Sequence, residues 1–476
     1  MFVYQLPKMD NNEKYVDKNH DLQYNGRCNV KSNNNRNCVH LFLRRIFMKK
    51  ILSIGIIIAI IATMLTSFCV KAEETQESVN PNIIYAYYDY SDELNYDTID
   101  MSKMIVVDHS IYYLENNEYT CIEFFNTEDY AINSTEITVK DYINGIPVTR
   151  VNGAQVKYIN KNCYSKLTKI NIPNTVKTIG TRAFCKLKNL TELTLPKSLT
   201  KIEKYAFSGL KKITKLNLPD SITEIGECAF LNTNIAKINM PRSLKDSHGC
   251  FTGMKKLKSI TIPKEIKYIS DYTFQSDTSL SKVIFEGDNV EGIGDFAFSE
   301  CKSLKKIKFP KKLVVIGDYA FADSGLSGKV ILPKKCYYIA EGAFSGCKNI
   351  TNVCFKGKNI EVYESAFLGC EKIKSVIGSK NIIRYGTTTF AYCTSLKNFT
   401  ISKKVKYIQD DFFTKCKSMR KLKILTTNLI TNTKPFQKAF KELPKKCKVY
   451  VKTYKMKNKV RKSGFKGEIF VNKKLK

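Results

Sequence analysis

The chain has 476 residues, of which 43% are hydrophobic, and 78 basic against 44 acidic residues give a formal net charge of +34. Ten of the basic residues are Arg and 68 are Lys, which argues against nucleic-acid binding, because proteins that read nucleic acids favour Arg for its bidentate contacts. A surface so rich in Lys either only keeps the protein soluble or attracts anionic partners in a salt-dependent way.

The N-terminal region carries a pattern typical of export. Residues 1–47 are polar and rich in Asn, and we expect a disordered leader or a mis-assigned start. Residues 48–72 begin with Met-Lys-Lys, continue with an apolar stretch and end at Ala72, which predicts a secretory signal peptide cleaved after Ala72. About 20 apolar residues can also span a bilayer, so an uncleaved signal anchor stays an alternative, and it would be the only contact with a membrane. Both alternatives predict a secreted or cell-surface protein.

Residues 73–136 form an N-terminal segment rich in Tyr, followed by predicted strands. Tyr and acidic residues alternate between 85 and 100, and we expect an extended or loosely ordered segment there. Three short strands are predicted next, at residues 104–107, 111–114 and 119–125, with a turn at 115–118 between the last two. We expect this hairpin to cap the first coil of the repeat array that follows.

Most of the remaining chain repeats one unit. Phenylalanines recur at steps of 21 to 24 residues, with an aliphatic or aromatic residue five positions before each one, except at Asp246. The Phe positions are Phe184, Phe207, Phe230, Phe251, Phe274, Phe298, Phe321, Phe344, Phe367, Phe390 and Phe413. Units of this size cannot bury their apolar faces alone, so they must stack into a solenoid with Phe in its interior. The single 21-residue step predicts an irregular coil at residues 243–249.

Each unit has the pattern L-x-x-[IVLF]-x-[ILMF]-P-x-x-[LVI]-x-x-I-G-x-x-A-F-x-x-[CL]-x-x-L, as in Leu304–Phe321. Apolar and polar residues alternate up to the proline, which predicts a short strand with one buried face that ends at the proline. The small residues that follow predict a compact return rich in turns. The predicted fold is therefore a repeat solenoid with one short strand per coil of about 23 residues, stacked as a parallel sheet between terminal caps.

The run I-P-x-x-[LV]-x-x-I-G-x-x-A-F-x-x-[CL]-x-x-L resembles the BspA-like leucine-rich repeats of bacterial and protist surface proteins. The first unit of that family is similar to residues 137–151, and the resemblance covers residues 137–425, the predicted solenoid. It implies a leucine-rich-repeat-like fold and an adhesion or interaction role at the cell surface. The periodicity by itself indicates only a solenoid.

Cysteine placement follows the repeat. The regularly spaced phenylalanines are called the ladder Phe residues below. Of the 16 cysteines, five lie three residues after a ladder Phe, at Cys301, Cys347, Cys370, Cys393 and Cys416. Buried free thiols are the favoured interpretation, because Cys packs as a small apolar residue. Disulfides between neighbouring coils, such as Cys347 with Cys370, remain an alternative if the Cα atoms are separated by about 5 to 6 Å.

Residues 426–476 are predicted to form a C-terminal cap. A short helix is predicted at 433–441 and strands at 447–451 and 468–471. No catalytic, cofactor or metal-binding motif occurs along the chain, and we expect a non-enzymatic protein without a cofactor. The pair His248 and Cys250 in the irregular coil is the one conceivable reactive site, but a plain loop His beside a buried Cys is the favoured explanation.

Strand alternation predicts which residues face outward. Two positions before the proline slot, the first coils carry Asn or Thr, whereas later coils carry Ile. Exposed apolar residues on a regular sheet can mark a contact surface. We predict a partner site at Lys282, Ile284, Lys306, Lys308, Lys329, Ile331 and Ile377. Alternatively, β-propensity alone selects Ile at these positions, or the N-terminal segment covers them.

The favoured function is an exported, monomeric interaction or adhesion protein that binds an extracellular protein or an anionic glycan. A structural component of an envelope or matrix, assembling through its repeats, is the first alternative. A hydrolase acting at the irregular coil is the second.

Overall fold

The computed structural model describes residues 101–108, 110–124, 135–152, 166–185, 187–408, 411–427 and 440–475. Within them, 28 short strands and one α-helix are defined, together with 3-10 turns at Met101–Lys103 and Ser379–Asn381. Through the first half the strands are β1 Met104–Val107, β2 Ser110–Glu115, β3 Glu118–Phe124, β4 Glu136–Thr138, β5 Tyr142–Ile143, β6 Ile146–Val151, β7 Lys169–Asn171, β8 Thr178–Ile179, β9 Glu192–Thr194, β10 Lys201–Ile202, β11 Lys215–Leu216, β12 Glu224–Ile225, β13 Lys237–Ile238 and β14 Ser259–Ile262.

The second half continues with β15 Tyr268–Ile269, β16 Lys282–Phe285, β17 Gly292–Ile293, β18 Val315–Ile316, β19 Ser327–Leu332, β20 Tyr338–Ile339, β21 Asn349–Phe355, β22 Ile360–Val362, β23 Ser375–Ile377, β24 Ile382–Tyr385, β25 Asn398–Ile401, β26 Lys421–Ile424 and β27 Lys448–Val451, then α1 Tyr454–Lys462 and β28 Ile469–Val471. No helix in the described part of the chain is both long and apolar enough to cross a membrane.

The strands of the repeats stack in two rows, and within each row the strands of neighbouring repeats pair in parallel. The display row contains the predicted strand before the proline slot, and it consists of the sheets β4-β7-β9, β11-β13, β14-β16 and β19-β21-β23-β25-β26-β27-β28. The return row consists of the sheets β1-β2-β3-β6-β8-β10-β12 and β15-β17-β18-β20-β22-β24. The predicted solenoid and its display strand are confirmed. The second strand, a pair of residues at the Ile-Gly motif in a typical coil, was not predicted, because two residues are too few to show a period.

The phenylalanines form a continuous stack inside the solenoid. From Phe184 to Phe390, consecutive ring centroids are 5.2 to 5.7 Å apart, close to the spacing of neighbouring strands. Every ring in this stack is fully buried. Phe413, predicted as the last member, is buried but does not continue the stack. Phe412 occupies the position that Ala holds in most coils, and its ring lies edge-on to Phe390 at 5.7 Å.

Backbone hydrogen bonds in the return fix the distance between coils. The N–H of Phe298 donates to the carbonyl of Ala320 at 2.7 Å, and Phe321 bonds to Ala343 in the same way at 2.8 Å. The residue two positions before the ladder Phe adopts a left-handed conformation in coil after coil, for example Phe296 with φ of 55° and Tyr319 with φ of 52°. Such values are costly for bulky residues. The sequence pattern does not reveal this position, because Arg, Tyr, Cys, Phe, Ser and Thr all occupy it.

The 21-residue step, where an irregular coil was predicted, interrupts both rows. Asp246 forms only an isolated bridge with Glu224 in place of a return strand. The N–H of Met254, after the short step, donates to the Asp277 carboxylate of the next coil at 2.7 Å. In an ordinary coil the equivalent N–H, that of Cys301, donates within its own turn to Phe298. Asp277 lies three residues after Phe274, at the position that Cys occupies in other coils, and it accepts the N–H that an ordinary coil satisfies within its own turn.

The repeat cysteines are buried free thiols in this structure. Each of the five donates its S–H to the carbonyl of the ladder Phe one coil earlier, at 3.0 to 3.4 Å. Burial raises the pKa of the Cys347 thiol to about 12. The slot therefore favours a small apolar residue that can also donate one weak hydrogen bond.

Additional strands extend the array at both ends. At the N-terminal end, β2 and β3 form the predicted antiparallel hairpin, and β3 pairs in parallel with β6. At the C-terminal end, β26, β27 and β28 extend the display row in parallel beyond the last ladder Phe. The predicted helix at 433–441 lies almost entirely outside the described residues. A helix not predicted from sequence, α1, begins after Thr453, whose side chain accepts the N–H of Met456.

Candidate interaction surface

The display row positions the predicted partner residues by simple strand alternation. On β19, β21 and β23 the inward residues Val330, Val353 and Val376 are buried. Ile331 pairs with Cys354 and Cys354 pairs with Ile377 across these neighbouring strands. The side chains of Ile331 and Ile377 are 41% and 46% exposed, and Cys354 is half-buried. Three successive coils thus present a continuous apolar row to solvent.

Of the other predicted residues, Lys329 shares β19 with Ile331, whereas the remaining four are not on this sheet. Ile284, which is 39% exposed, and Lys282 lie on β16, in a separate two-stranded sheet. Lys306 and Lys308 lie in the coil between β16 and β19, where residues 305–310 form no strand. The structure therefore brings Lys329, Ile331 and Ile377 together on one sheet and places the other four on neighbouring coils of the same face.

The four predicted lysines are all exposed. None of the ion pairs among the described residues includes Lys282, Lys306, Lys308 or Lys329. The first display strands differ, because Lys169 on β7 pairs with Glu136 on β4 at 2.9 Å. These four lysines therefore differ from Lys311 on a later coil, which pairs with Asp288 at 2.9 Å.

Sequence reasoning missed the C-terminal continuation of this face. Register alignment places Lys423, Tyr450 and Phe470 in one outward row across β26, β27 and β28. The two rings stack with centroids 5.1 Å apart, and Phe470 is 39% exposed. The strands containing Tyr450 and Phe470 were predicted, but the regular spacing stops after Phe413, so their register could not be derived.

The irregular coil does not form a reactive pair. Cys250 is completely buried, and burial raises the pKa of its thiol well above its usual range. A nucleophilic Cys requires the opposite shift. The ring of His248 packs edge-on against Tyr272 at 5.5 Å. His109 lies outside the described residues, and the described residues contain no group of three or more His, Cys, Asp or Glu side chains arranged to hold a metal ion.

Comparisons with known proteins agree with this architecture. A family model described as a BspA type leucine rich repeat region matches six copies over residues 156–275, 247–331 and 327–441. No curated protein matches the chain. A leucine-rich repeat protein from Bacteroides ovatus is similar in structure, with 22% identity and a TM-score of 0.58, over 77% of this chain and 99% of that one.

The pneumococcal vaccine antigen PcpA is also similar in structure, with 20% identity and a TM-score of 0.50 over 78% of this chain and 98% of that one. At such identities the two likenesses concern the fold alone. The match of the family model shows the family as well as the fold, because it covers more than half of the chain with the same repeat that the Phe stack defines. The chain belongs to the BspA-type leucine-rich repeat family.

Proposed function

We propose that the protein is an exported interaction protein that acts by binding rather than by catalysis. It binds an extracellular protein through the display row between residues 282 and 377, in the manner of a surface adhesin. The observation that carries this proposal is the in-register row of Ile331, Cys354 and Ile377, in which both isoleucines are exposed and Cys354 is half-buried between them. The family supports the proposal, as does the solved structure of a pneumococcal antigen with a similar fold.

The expected affinity change follows from the area left exposed. Full burial of an Ile side chain contributes about 1.5 to 3 kcal/mol, so burial of the exposed part of each one contributes about 1 kcal/mol. The triple substitution Ile284→Thr, Ile331→Thr and Ile377→Thr removes about 3 kcal/mol, or roughly a hundredfold in affinity. The matched control replaces the same residues with Val, which preserves both the branched shape and the apolar character.

The test is a binding screen of the purified protein against matrix proteins, mucin-type proteins and intact cells at two salt concentrations. We expect a protein ligand whose binding weakens about a hundredfold in the Thr variant and less than threefold in the Val variant. Equal binding by wild type and Thr variant, with unchanged unfolding, contradicts the proposed site. N-terminal sequencing of protein collected outside the cell tests export, and we expect the chain to begin at Glu73.

A further inference from the structure

The C-terminal strands β26–β28 present lysines on aromatic rings. Lys421 and Lys448 lie directly opposite each other on β26 and β27, and both are exposed. The Lys421 ammonium lies over the Tyr450 ring, 5.2 Å from its centroid, and the Lys448 ammonium lies over Phe470 at 6.0 Å. Each ammonium is thus held over a ring on the adjacent strand and remains on the solvent side of the sheet.

Among the described residues, no carboxylate lies within ion-pair distance of these two ammonium groups. Like charges directly opposite on neighbouring strands are destabilising, whereas opposite charges stabilise. The return row shows the favourable arrangement, with Lys201 on β10 paired to Glu224 on β12 at 3.2 Å. Within the described residues neither Lys421 nor Lys448 forms an ion pair, even though Glu468 follows closely on the next coil. The surroundings add to the repulsion, because residues 440–475 contain 13 basic and two acidic side chains.

We propose that the outward face of β26–β28 binds an acidic polysaccharide whose carboxylates follow one another along the chain. Neighbouring coils place the lysines about 4.8 Å apart along the solenoid axis, and a polyuronate carries one carboxylate on every sugar. The exposed Phe470 at the end of the row offers an apolar surface to a sugar ring. This site is separate from the isoleucine row and does not depend on the proposed protein ligand.

Two other classes of anionic partner fit this face less well. Nucleic-acid sites use Arg forks and free aromatic faces, but Tyr450 lies between Lys421 and Phe470, and the Arg461 guanidinium donates to the carbonyls of Phe465 and Gly467. An acidic peptide could not add a strand at β27, because β26 and β28 already occupy both of its edges. The two lysines lie on β26 and β27, which are paired on both edges, and such a row of point charges favours a polymer recognised by charge and shape.

The test measures binding of the full-length protein to polygalacturonate at 50 and 200 mM salt, with neutral dextran and polyglutamate as comparison polymers. The double variant Lys421→Gln, Lys448→Gln should bind polygalacturonate about tenfold more weakly, corresponding to two charge contacts. The matched control is Lys215→Gln, Lys237→Gln, which removes the same kind of cross-strand lysine pair on β11 and β13. We expect the control to change binding by less than twofold.

Thermal unfolding separates binding from folding. The Lys421→Gln, Lys448→Gln variant relieves the repulsion between like charges but loses two ammonium–ring contacts of similar strength, so it should melt close to the wild-type temperature while losing affinity. Equal weakening by the two double variants would mean that net charge alone attracts the polymer, and the site would be refuted. Polyglutamate binding as tight as polygalacturonate would also overturn the proposal, in favour of an acidic protein ligand. The triple Thr variant, which should lose the protein ligand of the isoleucine row, should bind polygalacturonate as tightly as wild type.

Discussion

Replacing Phe321 with Ala should remove a large part of the stability of the central coils. The Phe321 ring is fully buried, stacks on Phe298 and Phe344 at 5.2 and 5.3 Å, and meets Phe309 edge-on at 5.6 Å. Phe-to-Ala substitutions in cores cost about 3 to 5 kcal/mol, depending on how far the surroundings collapse. Here the hydrogen bonds between coils hold the spacing and prevent collapse, so we expect the upper part of that range.

The assay is guanidinium denaturation followed by circular dichroism, with Phe296→Ala as the control. Phe296 lies one coil earlier on the outside, where it stacks between Tyr272 and Tyr319 at 5.1 Å on each side and is only partly buried. Its removal should cost about 1 kcal/mol, since it loses ring contacts but creates no enclosed cavity. Similar costs below 1 kcal/mol for both variants would refute the conclusion that the Phe stack forms the core.

Three further predictions test individual features. Gly226→Ala should destabilise the protein by about 1 to 3 kcal/mol, because the new Cβ would lie 2.5 Å from a backbone nitrogen of the preceding coil. The control Gly287→Ala should be neutral in the same denaturation assay, because its new Cβ would lie 3.5 Å from the nearest side chain. Burial raises the pKa of the Asp277 carboxyl well above its usual range, so its contribution to stability is full at low pH and is lost as the pH rises above about 4. Asp277→Asn should therefore flatten the pH dependence of the melting temperature. The same pH dependence in wild type and variant would contradict this. Alkylation of the native protein, followed by mass spectrometry, should modify the half-buried Cys354 and Cys185 before the other cysteines of the described residues, and early modification of the fully buried repeat thiols would argue against their interior position.

The sequence predicted those parts of the fold that repeat. The Phe spacing, the apolar residue five positions earlier and the proline slot define a register, and together they give the interior positions and the outward direction of Ile331 and Ile377. The irregular coil was found for the same reason, because Asp246 breaks that register. Position within a repeat is strong information, since every coil must satisfy the same packing.

Outside the repeat, local alternation predicted the N-terminal hairpin and the C-terminal strands, but contacts between particular side chains could not be predicted. The hydrogen bond that the Met254 N–H donates to Asp277 depends on how one short step displaces a turn. The sequence shows only that Asp277 stands where other coils have Cys. The lysine and aromatic face of β26–β28 was missed because the 23-residue spacing ends before Tyr450 and Phe470. The interruption at residues 305–310 also left no trace, because that segment keeps the same alternation as its neighbours.

The most direct test of the central claim, that the display row binds a partner, is the alkylation rate of Cys354. This half-buried thiol lies between Ile331 and Ile377, and Cys185, in the return, serves as an internal reference. With the protein ligand from the screen at saturation, we predict at least tenfold slower modification of Cys354 and an unchanged rate at Cys185. An unchanged rate at Cys354 with the ligand bound would show that the partner sits elsewhere on the solenoid and would contradict the proposed function of this face.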